Sequence, residues 1–149
     1  MPFAGGKMPC CCRQDDAPDA QARFMQSKIL FYVAIGGALG AVLRFLLSQW
    51  MNGQDMPWGT LSVNLVGSLL LGALMGLATN SNSISNELVM FLGVGILGAF
   101  TTLSTYSFET VDLWRKGQVS GALLYAGATA VMGPFLAFLG WYTTHKPVV

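Results

Sequence analysis

Four long apolar runs, separated by short polar segments, constrain the fold of this chain more than any other feature. They cover residues 29–51, 58–79, 88 to about 114, and 121 to about 143. A helix needs about 20 mostly apolar residues, at about 1.5 Å of rise each, to cross the hydrocarbon core of a bilayer. Only 10% of the 149 residues are charged, whereas soluble domains carry about 25%. The sequence therefore predicts an all-α membrane protein with four transmembrane helices.

The polar segments between the runs are too short to hold a further domain. They cover residues 52–55, 80–87 and 115–118 and allow only tight connections, so residues 25–149 are expected to form one four-helix transmembrane domain. Residues 1–24 have no apolar periodicity and no apolar core of a signal peptide. We predict a disordered N-terminal extension there, with Met25 as an alternative start. Its Cys10, Cys11 and Cys12 lack the spaced pairs of a zinc site.

Basic residues near the spans give almost no orientation bias. With four spans, both termini lie on one side, here called the near side, and the first and third connections lie on the far side. Arg23, Lys28 and Lys146 are on the near side, and Arg115 and Lys116 are on the far side. Lysine and arginine bias sets topology, so two interpretations remain open: termini inside, or insertion in both orientations. The net charge of +1 gives no basic surface for nucleic acid.

Polar side chains from all four spans fall at a similar depth, on the far-side half of the membrane. Counting at helical rise brings five residues into one layer: Arg44, Asn64, Tyr106, Tyr125 and Thr129. Polar groups at this depth must pair with one another or with water. They either join helices by hydrogen bonds or line a path for an ion. On the second span, Thr60, Asn64 and Ser68 recur every fourth residue and so share one face, which favours the lined path.

Arg44 is a charge inside the first span, and three explanations are open for it: an ion pair, extension to the far interface, or direct attraction of an anion. Glu109 lies at a comparable depth in the third span, and Asp112 lies one turn beyond. An ion pair between Arg44 and Glu109 would lower the cost of either charge in the membrane. Alternatively, Arg44 extends its side chain to the far interface. A structural or electrostatic role is expected for both Arg44 and Glu109.

The third run contains a cluster of hydroxyl residues behind a glycine. Gly98 is followed by Thr101, Thr102, Ser104, Thr105 and Ser107. Serine and threonine offer the backbone alternative hydrogen bonds, so this stretch is a poor continuous helix. We predict that the third helix is broken in mid-membrane. The ends of broken membrane helices bind ions, with carbonyls for a cation and amides for an anion.

Three stretches resemble the Fluc, or CrcB, family of fluoride ion channels. They are residues 36–44 (GGALGAVLR), 59–68 (GTLSVNLVGS) and 95–109, with its Thr-Thr-x-Ser-Thr core. Their order and spacing match across about 120 residues, which is nearly all of the chain beyond the extension. Each stretch alone is a weak signal, and the three together are specific.

The resemblance implies a passive fluoride channel in the plasma membrane of a bacterium, which lets cytoplasmic fluoride out and so relieves its toxicity. It also implies a dual-topology antiparallel homodimer with two fluoride pores and a structural Na+ at its centre. By position, the backbone carbonyls of Gly98 and Thr101 would bind the Na+. The pore residues implied in the same way are Asn64, Ser107, Tyr125 and Thr129.

The chain departs from the family pattern at two pore positions. The family's usual pair of phenylalanines falls at Leu103 and Tyr106. A phenylalanine offers an anion the positive edge of its ring. Tyr106 keeps a ring and adds a hydroxyl, whereas Leu103 has no such quadrupole. Throughput or selectivity is therefore expected to differ.

Two other functions are weighed against the channel. A proton-coupled four-helix multidrug exporter would need a carboxylate in the first helix, where this chain has Arg44. A non-transporting membrane scaffold would use the glycines for packing alone. An enzyme is not expected, because no nucleophile motif or cluster of metal ligands occurs and His145 lies after the fourth span.

Overall fold

A computed structural model describes residues 20–53, 56–80 and 84–145, with side chains from residue 26 onward except that of Asn80. Helix α1 spans Ala20–Met51 and helix α2 spans Trp58–Asn80. The last helix, α6, spans Val119–Thr144. The predicted N-terminal extension lies outside the described residues, apart from its last five positions, which form the beginning of α1. Cys10, Cys11 and Cys12 also lie outside them.

Four membrane-spanning helices occur in the described part of the chain. Each is long and apolar enough to cross a bilayer, and they cover Gln26–Met51, Trp58–Thr79, Asn86–Arg115 and Val119–Thr144. These spans agree with the four apolar runs to within three residues at every end, since apolar length determines where a chain can enter a bilayer. The prediction of an all-helical chain with four transmembrane spans is confirmed. The chain is a multi-pass membrane protein.

The third span consists of several segments. Helix α3 (Asn86–Val89) leads into a π-helical segment (Met90–Leu97), a short helix α4 (Gly98–Phe100), and helix α5 (Leu103–Arg115). Between α4 and α5, Thr101 (φ −76°, ψ 151°) and Thr102 (φ −146°, ψ 117°) have extended backbone. In the π-helical segment hydrogen bonds reach five residues back, as in the bond from the Gly98 amide to the Gly93 carbonyl. This wider winding was not predicted from the sequence.

Glycines let the helices pack backbone against backbone. Helix α2 packs most extensively against α6, and a Cβ added to Gly72 or Gly140 would collide with a carbonyl of the facing helix. Helix α1 packs in the same way on the π-helical segment, where a Cβ on Gly36 would come within 2.6 Å of the Phe91 carbonyl oxygen. Small residues permit such close approach between helices in a membrane. These two contacts fix the frame that holds the third span.

Candidate ion pathway

Asn64 holds the interruption between α4 and α5. Its Oδ1 accepts a hydrogen bond from the Thr102 amide at 2.8 Å, and its Nδ2 donates to the Thr102 carbonyl oxygen at 3.2 Å. Asn64 is only 8% exposed. Extended backbone inside a membrane must find partners other than those of a helix. The amide of Asn64 supplies both partners for one residue, so it acts as a clamp on Thr102.

Thr102 in turn caps helix α5. Its Oγ1 accepts a hydrogen bond from the Thr105 amide at 3.2 Å, and its hydroxyl donates to the Thr105 Oγ1 at 3.0 Å. Threonine at this position satisfies one of the amides that a helix leaves without partners at its start. The sequence pattern placed Thr102 in the hydroxyl cluster but gave it no role. The spacing of Thr102 and Thr105 was the available signal, because a cap bonds to the amide three residues on.

The interruption diverts the usual helical partners of two carbonyls. In a continuous helix the Gly98 carbonyl would accept from the Thr102 amide, which here donates to Asn64. Likewise, the Thr101 carbonyl would accept from the Thr105 amide, which here donates to the Thr102 side chain. Gly98 and Thr101 are the two residues that the family resemblance implies for a cation. Carbonyls at the ends of broken membrane helices are suited to bind Na+.

A cavity of about 400 Å³ lies beside the interruption. It gathers five of the residues predicted for the site: Asn64, Thr101, Leu103, Tyr106 and Thr129. Helices α2 and α6 complete its wall. Ser68 lies there on the same face of α2 as Asn64, as the sequence predicted, whereas four small or apolar residues were not predicted as part of the site, namely Leu71, Gly133, Pro134 and Ala137. Leu103 is 76% exposed, so it lies at the rim rather than in the wall. The cavity therefore combines polar groups from the second, third and fourth spans.

The hydroxyl groups of the predicted site already donate within the chain. Ser107 donates to the Leu103 carbonyl at 2.8 Å, and Thr129 donates to the Tyr125 carbonyl at 2.9 Å. The Tyr106 hydroxyl donates to the Ala126 carbonyl at 3.2 Å. Each hydroxyl has one hydrogen to give. Any of these groups must rotate away from its carbonyl before it can donate to an ion.

A second polar cluster surrounds Glu109, nearer the far side. The carboxylate accepts hydrogen bonds from the Thr60 hydroxyl at 2.9 Å, the Tyr125 hydroxyl at 2.7 Å and the Asn52 amide at 3.4 Å. Thr60 and Tyr125 are almost completely buried, at 0% and 1% exposed. We call these four residues the Glu109 cluster. Tyr125 belongs to this cluster, and neither Tyr125 nor Ser107 is part of the wall of the 400 Å³ cavity.

Arg44 does not make the ion pair that its depth in the membrane suggested. Its Nε donates to the Ala99 carbonyl oxygen at 3.2 Å, at the end of the first half of the third span. The three donors of the Glu109 cluster instead satisfy that carboxylate. Arg44 and Glu109 share only the wall of a cavity of about 260 Å³. The positive charge of Arg44 is favourable at the interrupted end of α4, because helix carbonyls carry partial negative charge there.

These features define a class: a small multi-pass membrane protein with neutral polar groups gathered around an interrupted span. Residues 31–141 match the sequence model of the family described as "CrcB-like protein, Camphor Resistance (CrcB)". The chain belongs to this family, and the resemblance seen in the sequence is confirmed.

Relatives in the family carry the name fluoride-specific ion channel FluC. A protein from Thermus thermophilus is 46% identical over 112 residues, which covers 73% of this chain and 87% of the relative. The protein from Hydrogenovibrio crunogenus is 44% identical over 117 residues, covering 76% and 89%. The protein from Aquifex aeolicus is 40% identical over 116 residues, covering 76% and 94%.

Proposed function

We propose that this chain is the subunit of a passive, fluoride-selective channel that lets cytoplasmic fluoride out across a bacterial plasma membrane and so relieves its toxicity. The single observation that carries the proposal is the cavity beside Thr101 and Thr102, where Asn64, Tyr106 and Thr129 meet. The names of the relatives give the ion. The three spans that form the cavity give it hydrogen-bond donors and no charged side chain in its wall.

The chemistry follows from the demands of a small, strongly hydrated anion. A pore must replace the water around fluoride with donors, and binding must stay weak enough for release. Asn64 has two amide hydrogens, of which one donates to Thr102, so the other is available to fluoride. Thr129 and Ser107 add donors when their hydroxyls rotate away from the carbonyls of Tyr125 and Leu103. Uncharged donors avoid trapping the ion.

The interruption also supports a proposed structural Na+. In a continuous helix the carbonyls of Gly98 and Thr101 would accept hydrogen bonds from amides that here donate elsewhere. Carbonyl oxygens at such a site are suitable ligands for Na+. We propose a homodimer of oppositely oriented subunits, in which each copy contributes this pair of carbonyls at the centre. The bound ion would supply positive charge between the two interruptions. The weak charge bias of the chain fits insertion in both orientations.

Reconstitution tests the function. Purified protein is placed in liposomes loaded with either fluoride or chloride, and an ion-selective electrode follows the release of each. We expect rapid fluoride release and no chloride release above protein-free vesicles. A chloride leak comparable with fluoride release, or no fluoride release from folded protein, would contradict the proposal.

Dimer orientation and the Na+ need separate measurements. Cross-linking in native membranes should yield a dimer. In a variant with serine at positions 10, 11 and 12, membrane-impermeant labelling of a cysteine placed in the first connection should reach half of the chains from each side. Exchange of Na+ for a large organic cation throughout purification should lower the thermal stability of the dimer. Labelling from one side only, or stability indifferent to Na+, would overturn the respective part of the proposal.

A further inference from the structure

Two surface cavities lie side by side at the near-side end of the molecule, away from the proposed ion pathway. One, of about 350 Å³, is lined by Tyr32, Ile35 and Phe91, among others. The other, of about 290 Å³, is lined by Lys28, Phe31 and Tyr32. The Tyr32 ring is common to both and stands edge-on to Phe91, with ring centroids 6.5 Å apart. We call the two cavities together the Tyr32 groove.

The groove runs along the membrane normal, with polar groups at the surface and apolar groups inside. Helix α1 and the third span both begin on the near side, at Gln26 and Asn86. Lys28 and Glu87 line the groove within the first turn of these spans, at the level of lipid headgroups. Ile35 lies seven residues beyond Lys28, about 10 Å deeper at helical rise. This depth is that of acyl chains, and Tyr32 lies between, where aromatic rings favour the interface.

The charges at the mouth of the groove have opposite signs. Lys28 is a cation suited to a phosphate, and the carboxylate of Glu87 suits an ammonium. A primary ammonium can donate hydrogen bonds to a carboxylate, whereas a quaternary ammonium has no N–H to donate. A headgroup with a phosphate and a primary amine therefore complements both side chains, and one or two acyl chains complement the apolar wall.

We propose that the Tyr32 groove binds a phospholipid with a primary-amine headgroup, such as phosphatidylethanolamine. Lys28 contacts the phosphate, Glu87 receives the ammonium, and an acyl chain lies against Tyr32, Ile35 and Phe91. The site lies on the near-side ends of α1 and the third span. It depends on the membrane placement of the chain and not on fluoride conduction.

Native mass spectrometry of the full chain in detergent tests the site, with phosphatidylethanolamine and phosphatidylcholine of the same acyl chains titrated separately. The net contribution of one hydrogen bond, from the primary ammonium to Glu87, corresponds to about a fivefold change in affinity, and so does one interfacial lysine contact with a phosphate. We expect phosphatidylethanolamine to bind about fivefold more tightly. Glu87→Gln should remove this preference, and Lys28→Met should weaken both lipids by a similar factor. Lys116→Met, the same change at the far-side end, should leave both affinities unaltered.

Ile35→Trp provides a test that does not depend on charge. Ile35 is 41% exposed, so a larger side chain fills the groove without disturbing the packed interior. We expect this variant to lose both lipids while it stays folded. Equal binding of the two lipids to the unmodified chain would overturn the proposal, as would a preference that survives Glu87→Gln. If Ile35→Trp splits a dimer and leaves lipid binding intact, a second copy covers the groove instead, and the proposal is wrong.

Discussion

The contact between α2 and α6 and the interrupted third span are built in opposite ways. Along α2 and α6, Gly72 and Gly140 bring backbone against backbone and leave no room for a single added carbon. In the third span the backbone departs from helix geometry at Thr101 and Thr102, and one side chain, Asn64, holds it there. The first region depends on the absence of side chains, and the second depends on particular side chains.

The contact between α2 and α6 therefore gives the bundle its rigidity, and the interrupted span gives it the polar groups that an ion needs. Close-packed helices have no backbone polar groups to offer an ion, because their amides and carbonyls bond within each helix. The interruption releases carbonyls from their helical partners and brings Thr101 and Thr102 to the wall of a cavity. A rigid frame is needed to keep that arrangement in place, since each polar group without a partner in a membrane costs several kcal/mol. Substitutions that perturb one region at a time can therefore separate the effect of helix packing from the effect of the interruption.

The largest effect is expected from Gly72→Ala. The added methyl collides with the Ala137 carbonyl, and a backbone atom cannot move aside without shifting α6. We expect the free energy of unfolding to fall by about 3 kcal/mol, at the upper end for overpacking. Gly37→Ala is the matched control, because no atom lies within 4 Å of its added carbon. Denaturation in mixed detergent micelles measures both; equal stability of the two variants would contradict the packing account.

Substitution within the Glu109 cluster should cause the next largest loss of stability. Glu109→Gln replaces one accepting oxygen with an NH2 donor, so the buried hydroxyls of Thr60 and Tyr125 lose a shared charged acceptor. We expect a loss of about 1–3 kcal/mol in the free energy of unfolding. Asp112→Asn, one turn along the same helix, breaks only the exposed pair with Lys116 and should cost about 0–1 kcal/mol. A loss for Glu109→Gln no larger than the loss for Asp112→Asn would show that the cluster does not stabilise the bundle.

Removing the cap of α5 should have a smaller effect. Thr102→Ala deletes the oxygen that accepts from the Thr105 amide, and loss of a helix cap costs about 1 kcal/mol. Thr102→Ser keeps that oxygen and should restore most of the stability. Thermal melting of the two variants in detergent compares them. If serine and alanine melt at the same temperature, the hydroxyl does not cap the helix.

Tyr106→Phe is expected to change stability least. It removes one hydrogen bond, from the Tyr106 hydroxyl to the Ala126 carbonyl, worth about 1 kcal/mol or less in a membrane. The ring remains in the cavity wall and regains the family's usual residue, so fluoride release should continue at least as fast as before. Liposome efflux measures this; a complete loss of release would mean that the Tyr106 hydroxyl itself binds the ion.

The sequence predicted the spans because apolar length alone determines membrane crossing, and it located the hydroxyl cluster of the third span. It could not predict the partners within that cluster. Asn64 was expected as a pore residue, yet one of its amide hydrogens bonds to Thr102, because extended backbone in a membrane needs hydrogen-bond partners first. Depth counting also brought Tyr125 close to Asn64, but it gives no direction around a helix axis. Tyr125 points to Glu109 instead.

Arg44 illustrates the same limit. Depth made Glu109 a reasonable partner, whereas the carbonyl at Ala99 became available only because α4 ends there. The π-helical segment had no signal in the residue pattern, since its glycines suit an α-helix contact equally well. Sequence thus predicts which polar groups share a layer, and the geometry of the interruption determines which of them bond.

The central claim is that Asn64, which clamps Thr102 and has a second amide hydrogen for the ion, maintains the proposed ion pathway. Fluoride release from liposomes tests it directly, comparing the unmodified chain with Asn64→Ala and with Asn86→Ala, the same substitution at an exposed position at the start of α3. We predict at least about a tenfold slower release for Asn64→Ala, equivalent to about 1.4 kcal/mol in the barrier, and an unchanged rate for Asn86→Ala. Unaltered fluoride release from folded Asn64→Ala protein would contradict the account.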